Sequence, residues 1–159
     1  MPPMIRVLFV CLGNICRSPM AEAVFQHMVE QEGLSDTIEV DSVGIGAWHV
    51  GEPAHRGTRD ILRRHGIACT SRARQVTSSD LKSADYVVAM DAENVADLRR
   101  LDRQGILEGK LYRLLDFAPG SRTRDVPDPY YEGNFEEVYE LVSAGCRGLL
   151  DHIRKQHEL

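Results

Sequence analysis

The residues best suited to chemistry stand together near the start of the chain, in Cys11-Leu12-Gly13-Asn14-Ile15-Cys16-Arg17-Ser18-Pro19. A cysteine followed six positions later by an arginine supplies the parts needed to bind and attack a phosphate monoester. The thiolate is the nucleophile, and the guanidinium is a planar fork that matches two phosphate oxygens. Gly13 and Asn14 are the two residues of this stretch that most readily take left-handed backbone conformations. A loop curled through them can turn its N–H groups inward as an anion nest. That nest stabilises a thiolate at Cys11 as it would an oxyanion. Ser18 can donate a hydrogen bond to the sulfur, which holds the thiolate and helps it leave in a second step. The bare C-x5-R spacing recurs by chance in a chain with sixteen arginines. Its setting gives it meaning.

Such a site needs a strand behind the cysteine and a helix beyond the arginine. Val7 to Val10 is a continuous apolar run with β-branched members, the pattern of a strand buried on both faces. Ser18 as cap, Pro19 at the first position and Glu22 in the first turn read as a helix start. The positive end of that helix adds to the field of the nest. Ala21, Val24, Phe25 and Met28 then recur at one-face helical spacing, and Gly33 ends the helix.

Further on, Ile38, Val40 and Val43 read as a strand stopped by Gly44 and Gly46. A helix is expected over 54–65, closed by Gly66, and a strand over 86–90. Asp91 caps a helix running to 103, with Val95, Leu98 and Leu101 on one face. A fourth strand is expected over 111–115. After a loop with Pro119, Pro127 and Pro129, Asn134 and Glu137 resemble a capping box. Phe135, Val138, Val142, Cys146, Leu149 and Ile153 share one face of the last helix.

Strands alternating with helices predict one α/β domain over 1–159, with a parallel, right-handed, doubly wound sheet covered by helices on both faces. Ligands bind such sheets beyond the C-terminal ends of the strands. The loop after Val10, the turn at Asp91 and the loop around Asp128 all fall there.

Composition narrows the function. The net charge is −5 and the pI about 5.7, so the chain is a poor generic binder of nucleic acid or anionic membrane. Anion binding therefore needs a local device. Cysteines at 11, 16, 69 and 146 make neither a disulfide framework nor a paired metal-binding spacing. The six histidines show no ligand spacing, so neither metal nor cofactor is expected, and no histidine is assigned a role. No export signal or membrane-spanning run is present, and a reduced, cytoplasmic protein is expected. Cys16 is near enough in sequence to be a redox partner of Cys11, closing a reversible disulfide upon oxidation.

The segment C-L-G-N-I-C-R-S-P after V-L-F-V resembles the signature of low-molecular-weight protein tyrosine phosphatases, and the resemblance covers the whole chain. It implies a central parallel sheet of four strands and hydrolysis of phosphate monoesters through a phosphocysteine intermediate, without metal or organic cofactor. The substrate implied is a phosphotyrosine protein or an aryl phosphate, with inorganic phosphate as product. Asp128-Pro129-Tyr130-Tyr131 resembles the family's acid loop. Asp128 is thereby implied as general acid, then base, with Asp125 as a nearby competitor lacking that context. Pro129 biases Asp128 toward an extended conformation.

By the same resemblance Trp48, Tyr130 and Tyr131 form the pocket rim, and Leu12 and Ile15 line it. The loop G-A-W-H-V-G itself argues that Trp48 is partly exposed. Asn14 is expected to tether the loop, with Ser42 as partner. Asp91 is implied as the group orienting Arg17, beside its reading as a helix cap. Two departures stand out: Ser71, where animal members have His, and Pro53-Ala54-His55-Arg56.

Other readings stay open. An arsenate reductase of the same fold relays electrons through two further cysteines, and positions 76–95 contain none. A phosphotyrosine-binding module would be expected to lack the cysteine, the arginine or the acid, and all three are present. Relatives that act on phosphoarginine carry Thr where Ile15 stands, which favours phosphotyrosine.

Overall fold

Beyond the exposed Arg6, the strand β1 (Ile5–Cys11) is apolar on both faces, and both faces are covered. The structure, a computed structural model, describes residues 4–159, residue 132 by its backbone alone. With β2 (Ile38–Gly44), β3 (Tyr86–Ala89) and β4 (Leu111–Arg113), β1 forms a four-stranded, fully parallel sheet in the order β2-β1-β3-β4. Val7, Phe9 and Cys11 enter the larger core beneath α1 (Arg17–Gln31) and α6 (Phe135–Gln156). There the rings of Phe9 and Phe25 meet edge to face at 5.6 Å. Leu8 and Val10 enter a second core with Leu81 of α3 (Ser78–Ser83) and Leu98 of α4 (Ala92–Leu101). Each fully buried Val, Leu or Phe contributes about 1.5–3 kcal/mol, so β1 is the most heavily anchored strand. It is also the one that carries the cysteine.

Strand order reverses between β1 and β3, because β2 flanks β1 on one side while β3 and β4 lie on the other. The switch point places the loop after β1 beside the turn after β3, where a crevice forms in sheets of this type.

Several local expectations are corrected. Ser18 lies inside α1, which begins at Arg17 with Cys16 in the capping position and no side-chain cap. Its hydroxyl is engaged by Cys11 and Asn14 instead. Glu22 falls beyond the first turn, which has no acidic residue. The helix expected over 54–65 is α2 (Arg56–Arg64), capped by His55, whose Nδ1 accepts from the Gly57 amide at 3.0 Å. Asn134 precedes α6 without capping it. Its φ of −86° and ψ of 51° depart from the extended cap conformation, and its Nδ2 donates to Glu137 Oε2 at 3.3 Å instead.

Leu101 is 52% exposed at the end of α4, and Leu107 fills the core near Leu98. The fourth strand stops at Arg113, because Leu114 and Leu115 both turn inward in a 3₁₀ turn (Leu114–Phe117) against α6. The short helix α3 was not expected. Its sequence is polar except for Leu81, and its signal is the Thr77–Asp80 capping box.

Candidate active site

The loop from Leu12 to Cys16 joins β1 to α1 with its carbonyls turned outward. Cys11 O and Leu12 O accept from the amides of Ile45 and Gly46 at 2.9 Å each. Ile15 O accepts from His55 N at 2.6 Å, and Cys16 O from Thr58 Oγ1 at 3.1 Å. The amides of residues 12–17 have no acceptor among the described residues. A run of unused donors around one loop, at the start of a 15-residue helix, is the physical content of an anion nest. Asn14 takes φ 56° to make the curl.

Its side chain ties the loop to its support. Asn14 Nδ2 donates to Ser18 Oγ at 2.8 Å and to Ser42 Oγ at 3.0 Å, while Oδ1 accepts from Arg74 N at 3.1 Å. Ser42 passes its own hydrogen to Glu22 Oε1 at 2.5 Å. Ser18 Oγ already accepts from Asn14, so its hydrogen is free for Cys11 Sγ, 2.9 Å away. A thiolate at Cys11 can only accept, and the Ser18 O–H is placed to donate to it. Burial pushes the Glu22 carboxyl up, partly offset by the Ser42 hydrogen bond. Glu22 ends this chain of donors, a place that its reading as a first-turn helix residue did not anticipate. Ser71, at the departure from animal members, borders Glu22 and Cys69.

Arg17 is 3% exposed, and its guanidinium is held on three sides. Nη1 bonds Asp91 Oδ2 at 2.6 Å and Val126 O at 2.8 Å, and Nη2 lies 3.7 Å from Asp128 Oδ2. Burial alone would push Arg17 down. The charges of Cys11, Asp91 and Asp128, with the Asp91 hydrogen bond, more than reverse it, so the cation is firmly kept. Asp91 makes two separate contacts. Oδ2 accepts from Arg17 while Oδ1 accepts from Asn94 N at 2.7 Å and caps α4.

The loop carrying Asp128 is stitched across the end of β3 by Val126 N to Met90 O at 2.9 Å. This holds Asp128 on the same cavity as Cys11, 117 positions earlier in sequence (128 − 11). Asp128 is extended, as Pro129 requires, and its Oδ1 accepts from Tyr130 N at 3.1 Å, capping α5 (Pro129–Glu132). Asp125, the competitor, is taken up elsewhere. Its Oδ1 accepts from Ala92 N at 3.0 Å and pairs with Arg113 at 3.1 Å.

These groups share one cavity of about 370 Å³. Cys11, Cys16 and Arg17 line it, Leu12, Gly13 and Ile15 form a wall, and Asp128 lies on another. Trp48, Tyr130 and Tyr131 complete it and are 70%, 47% and 80% exposed, the mark of a rim. Gly46 makes room for Trp48, since a Cβ there would lie 1.8 Å from the indole.

His49, to which the sequence assigned no role, also lines the cavity. Its Nδ1 meets Glu52 Oε2 at 2.6 Å, and its ring edge packs over Gly13. Cys16 is a buried thiol. Burial, then the Cys11 and Asp128 charges, push it up to about 12, so it stays protonated. Both cysteines are free.

Comparison with known proteins agrees with this geometry. The family model for low molecular weight phosphotyrosine protein phosphatase matches residues 6–159. The low molecular weight protein-tyrosine-phosphatase YfkJ of Bacillus subtilis is 53% identical over 158 residues, covering 98% of this chain and all of that protein. Its crystal structure superposes with a TM-score of 0.92 over 97% of each chain, at 52% identity. PtpA of Staphylococcus epidermidis is 44% identical over 156 residues, 98% of each chain. A crystal structure of a Drosophila arginine phosphatase shares the fold at 31% identity, with a TM-score of 0.88 over 94% of this chain and 98% of its own.

Proposed function

The chain belongs to the low molecular weight phosphotyrosine protein phosphatase family, and from that premise we propose how its own residues hydrolyse phosphotyrosine. Cys11 Sγ attacks phosphorus in line, forming the P–S bond as the P–O bond to the tyrosyl group breaks. Asp128 gives its proton to the departing oxygen. The loop amides and Arg17 hold the equatorial oxygens through the transition state. Asp128, now a carboxylate, takes a proton from water, whose oxygen attacks phosphorus. The P–S bond breaks, the Ser18 hydroxyl receives the departing thiolate, and inorganic phosphate is released.

One observation carries this reading: a sulfur with a hydroxyl at 2.9 Å opens onto the same cavity as a buried guanidinium and a carboxylate from a distant loop. The aromatic rim admits a flat ring and suits an aryl ester. The fold is shared with an arginine phosphatase, but Ile15 presents an apolar wall and favours phosphotyrosine over phosphoarginine. A phosphoprotein is the natural partner. The nucleophile must remain a thiol, and the four cysteines are free, which favours a reducing, cytoplasmic setting. Among the described residues no helix is long and apolar enough to cross a membrane.

The test is hydrolysis of p-nitrophenyl phosphate and a phosphotyrosine peptide in the presence of EDTA. Cys11→Ser is expected to abolish turnover, and Asp128→Ala to lower kcat by roughly 10²–10⁴-fold. Activity that needs added metal, or an Asp128→Ala variant with full turnover, would overturn the assignment. The same reading assigns Cys16 as resolving thiol: peroxide turns the Cys11 thiolate into a sulfenic acid, which condenses with Cys16 to a disulfide and water. Thiol-reversible inactivation that becomes irreversible in Cys16→Ser is the expected result, and unchanged recovery would remove the assignment.

A further inference from the structure

The chain carries a net −5, yet residues 52–74 hold six arginines against only Glu52 and Asp60. Their placement is uneven. Arg74 is consumed by Asp41 and Asp80 at 2.6 and 3.0 Å. Arg64 faces α6, 3.9 Å from Glu136. The remaining helix arginines, Arg56, Arg59 and Arg63, recur at i, i+3 and i+7, the spacing of one helix face. Arg56 and Arg63 have side chains 85% and 76% exposed, and both lean on the single carboxylate of Asp60 at 3.6 and 3.5 Å. One carboxylate cannot neutralise two guanidiniums, and exposed pairs of this length hold weakly. Arg59, half-buried, donates Nε to Ala54 O at 2.9 Å and with Arg63 flanks a shallow depression of about 310 Å³ that continues over Gly66 and Cys69.

This stripe starts at the wall of the catalytic pocket. The amide of His55 bonds the phosphate loop at Ile15 O, and Thr58 bonds it at Cys16 O. The His55 ring lies 5.8 Å from that of Tyr130 and stacks on Phe135 at 5.1 Å. Arg56 follows directly. Seven residues of helix rise about 10 Å, a length that an extended peptide covers in about three residues.

We propose that Arg56, Arg59 and Arg63 form a docking stripe for acidic side chains flanking the phosphotyrosine of a protein substrate. The proposal rests on the phosphatase reading and adds the class of substrate that the pocket alone cannot choose. Charge complementarity identifies the occupant: a cationic stripe on an anionic molecule, continuous with a pocket that takes the phosphorylated ring. Its contribution is the same in ground and transition states, so it acts on KM and leaves kcat alone.

The test compares two matched phosphotyrosine peptides, one with glutamates on both flanks and one with glutamines, with p-nitrophenyl phosphate as a flankless reference. The acidic peptide is expected to have a KM lower by roughly five- to tenfold at low salt. That preference should vanish near 1 M salt, where screening acts within about 3 Å. It should also vanish in the Arg56→Gln/Arg59→Gln/Arg63→Gln variant and return when the same positions carry Lys. The single variant Arg63→Gln, at an exposed position, reports a partial loss should the triple variant fold poorly. A wild type without the preference, or a preference that survives these substitutions, overturns the proposal while p-nitrophenyl phosphate turnover stands. Failure to hydrolyse p-nitrophenyl phosphate at all would sink the phosphatase reading instead. Arginine-dependent sedimentation with phosphatidylglycerol vesicles and no peptide preference would overturn the proposal in favour of a membrane partner.

Discussion

Asn14 takes φ 56°, spends both amide hydrogens on Ser18 and Ser42, and accepts at Oδ1 from Arg74 N. Two substitutions separate backbone angle from tether. Asn14→Ala places a Cβ in the left-handed region at a cost of about 1–2 kcal/mol and leaves the Arg74 amide without an acceptor at about 1–3 kcal/mol. Asn14→Gly incurs only the second cost. Chemical denaturation should therefore find the Ala variant the less stable, by about 1–2 kcal/mol. Both variants should lose kcat alike, by roughly ten- to a hundredfold, because the hydrogen that Ser18 gives Cys11 is no longer directed. A fully active Asn14→Gly would show that the angle alone matters. Residue types announced Cys11, Arg17 and Asn14, since their chemistry is local to the loop. Glu22 and His49 were not legible, because each acts through a fold-made neighbour: Ser42 for Glu22, and Gly13 for His49.

At the scale of elements, α6 is held against the 3₁₀ turn by two glycines. A Cβ at Gly145 would lie 2.6 Å from Leu114 Cγ, and one at Gly148 would lie 1.8 Å from Phe117 O. Glycine within a helix costs about 0.5–1 kcal/mol relative to alanine, so Gly148→Ala on an isolated helix would stabilise. Here the atom met is a backbone carbonyl, which cannot swing aside. The overpacking cost of about 1–3 kcal/mol wins, and a net loss of about 1–2 kcal/mol is expected, lowering Tm by several degrees. A variant as stable as the parent would show that the turn yields freely. Periodicity made α1 and α6 legible because each buries a long apolar face. It could not show α3, six residues with one buried side chain, nor the end of β4, where two successive leucines both turn inward.

At the scale of the whole molecule, the alternation of strands and helices predicted the layered parallel sheet, and the site lies where the strand order reverses. What joins the two cores to that site is a set of charges whose partners come from separate elements, and these set how stability depends on pH. Burial raises the Glu22 carboxyl above 4.5. Burial would also raise Asp80, but hydrogen bonds from Arg74 and Thr77 reverse this and hold it below 3.8. The two act in opposite senses. Above pH 3.8 Asp80 contributes stability, which is lost as pH falls through its lowered folded value. For Glu22 the native state keeps a proton that the unfolded chain releases, so stability falls as pH rises from below 4.5 through the raised folded value. Glu22→Gln removes that titration while keeping an oxygen to accept from Ser42. Urea unfolding from pH 4 to 7 should show the variant gaining on wild type as pH rises through this window, then a constant difference. A flat difference across the range would mean that Glu22 is solvated in the native protein and does not terminate the chain of donors leading to Cys11.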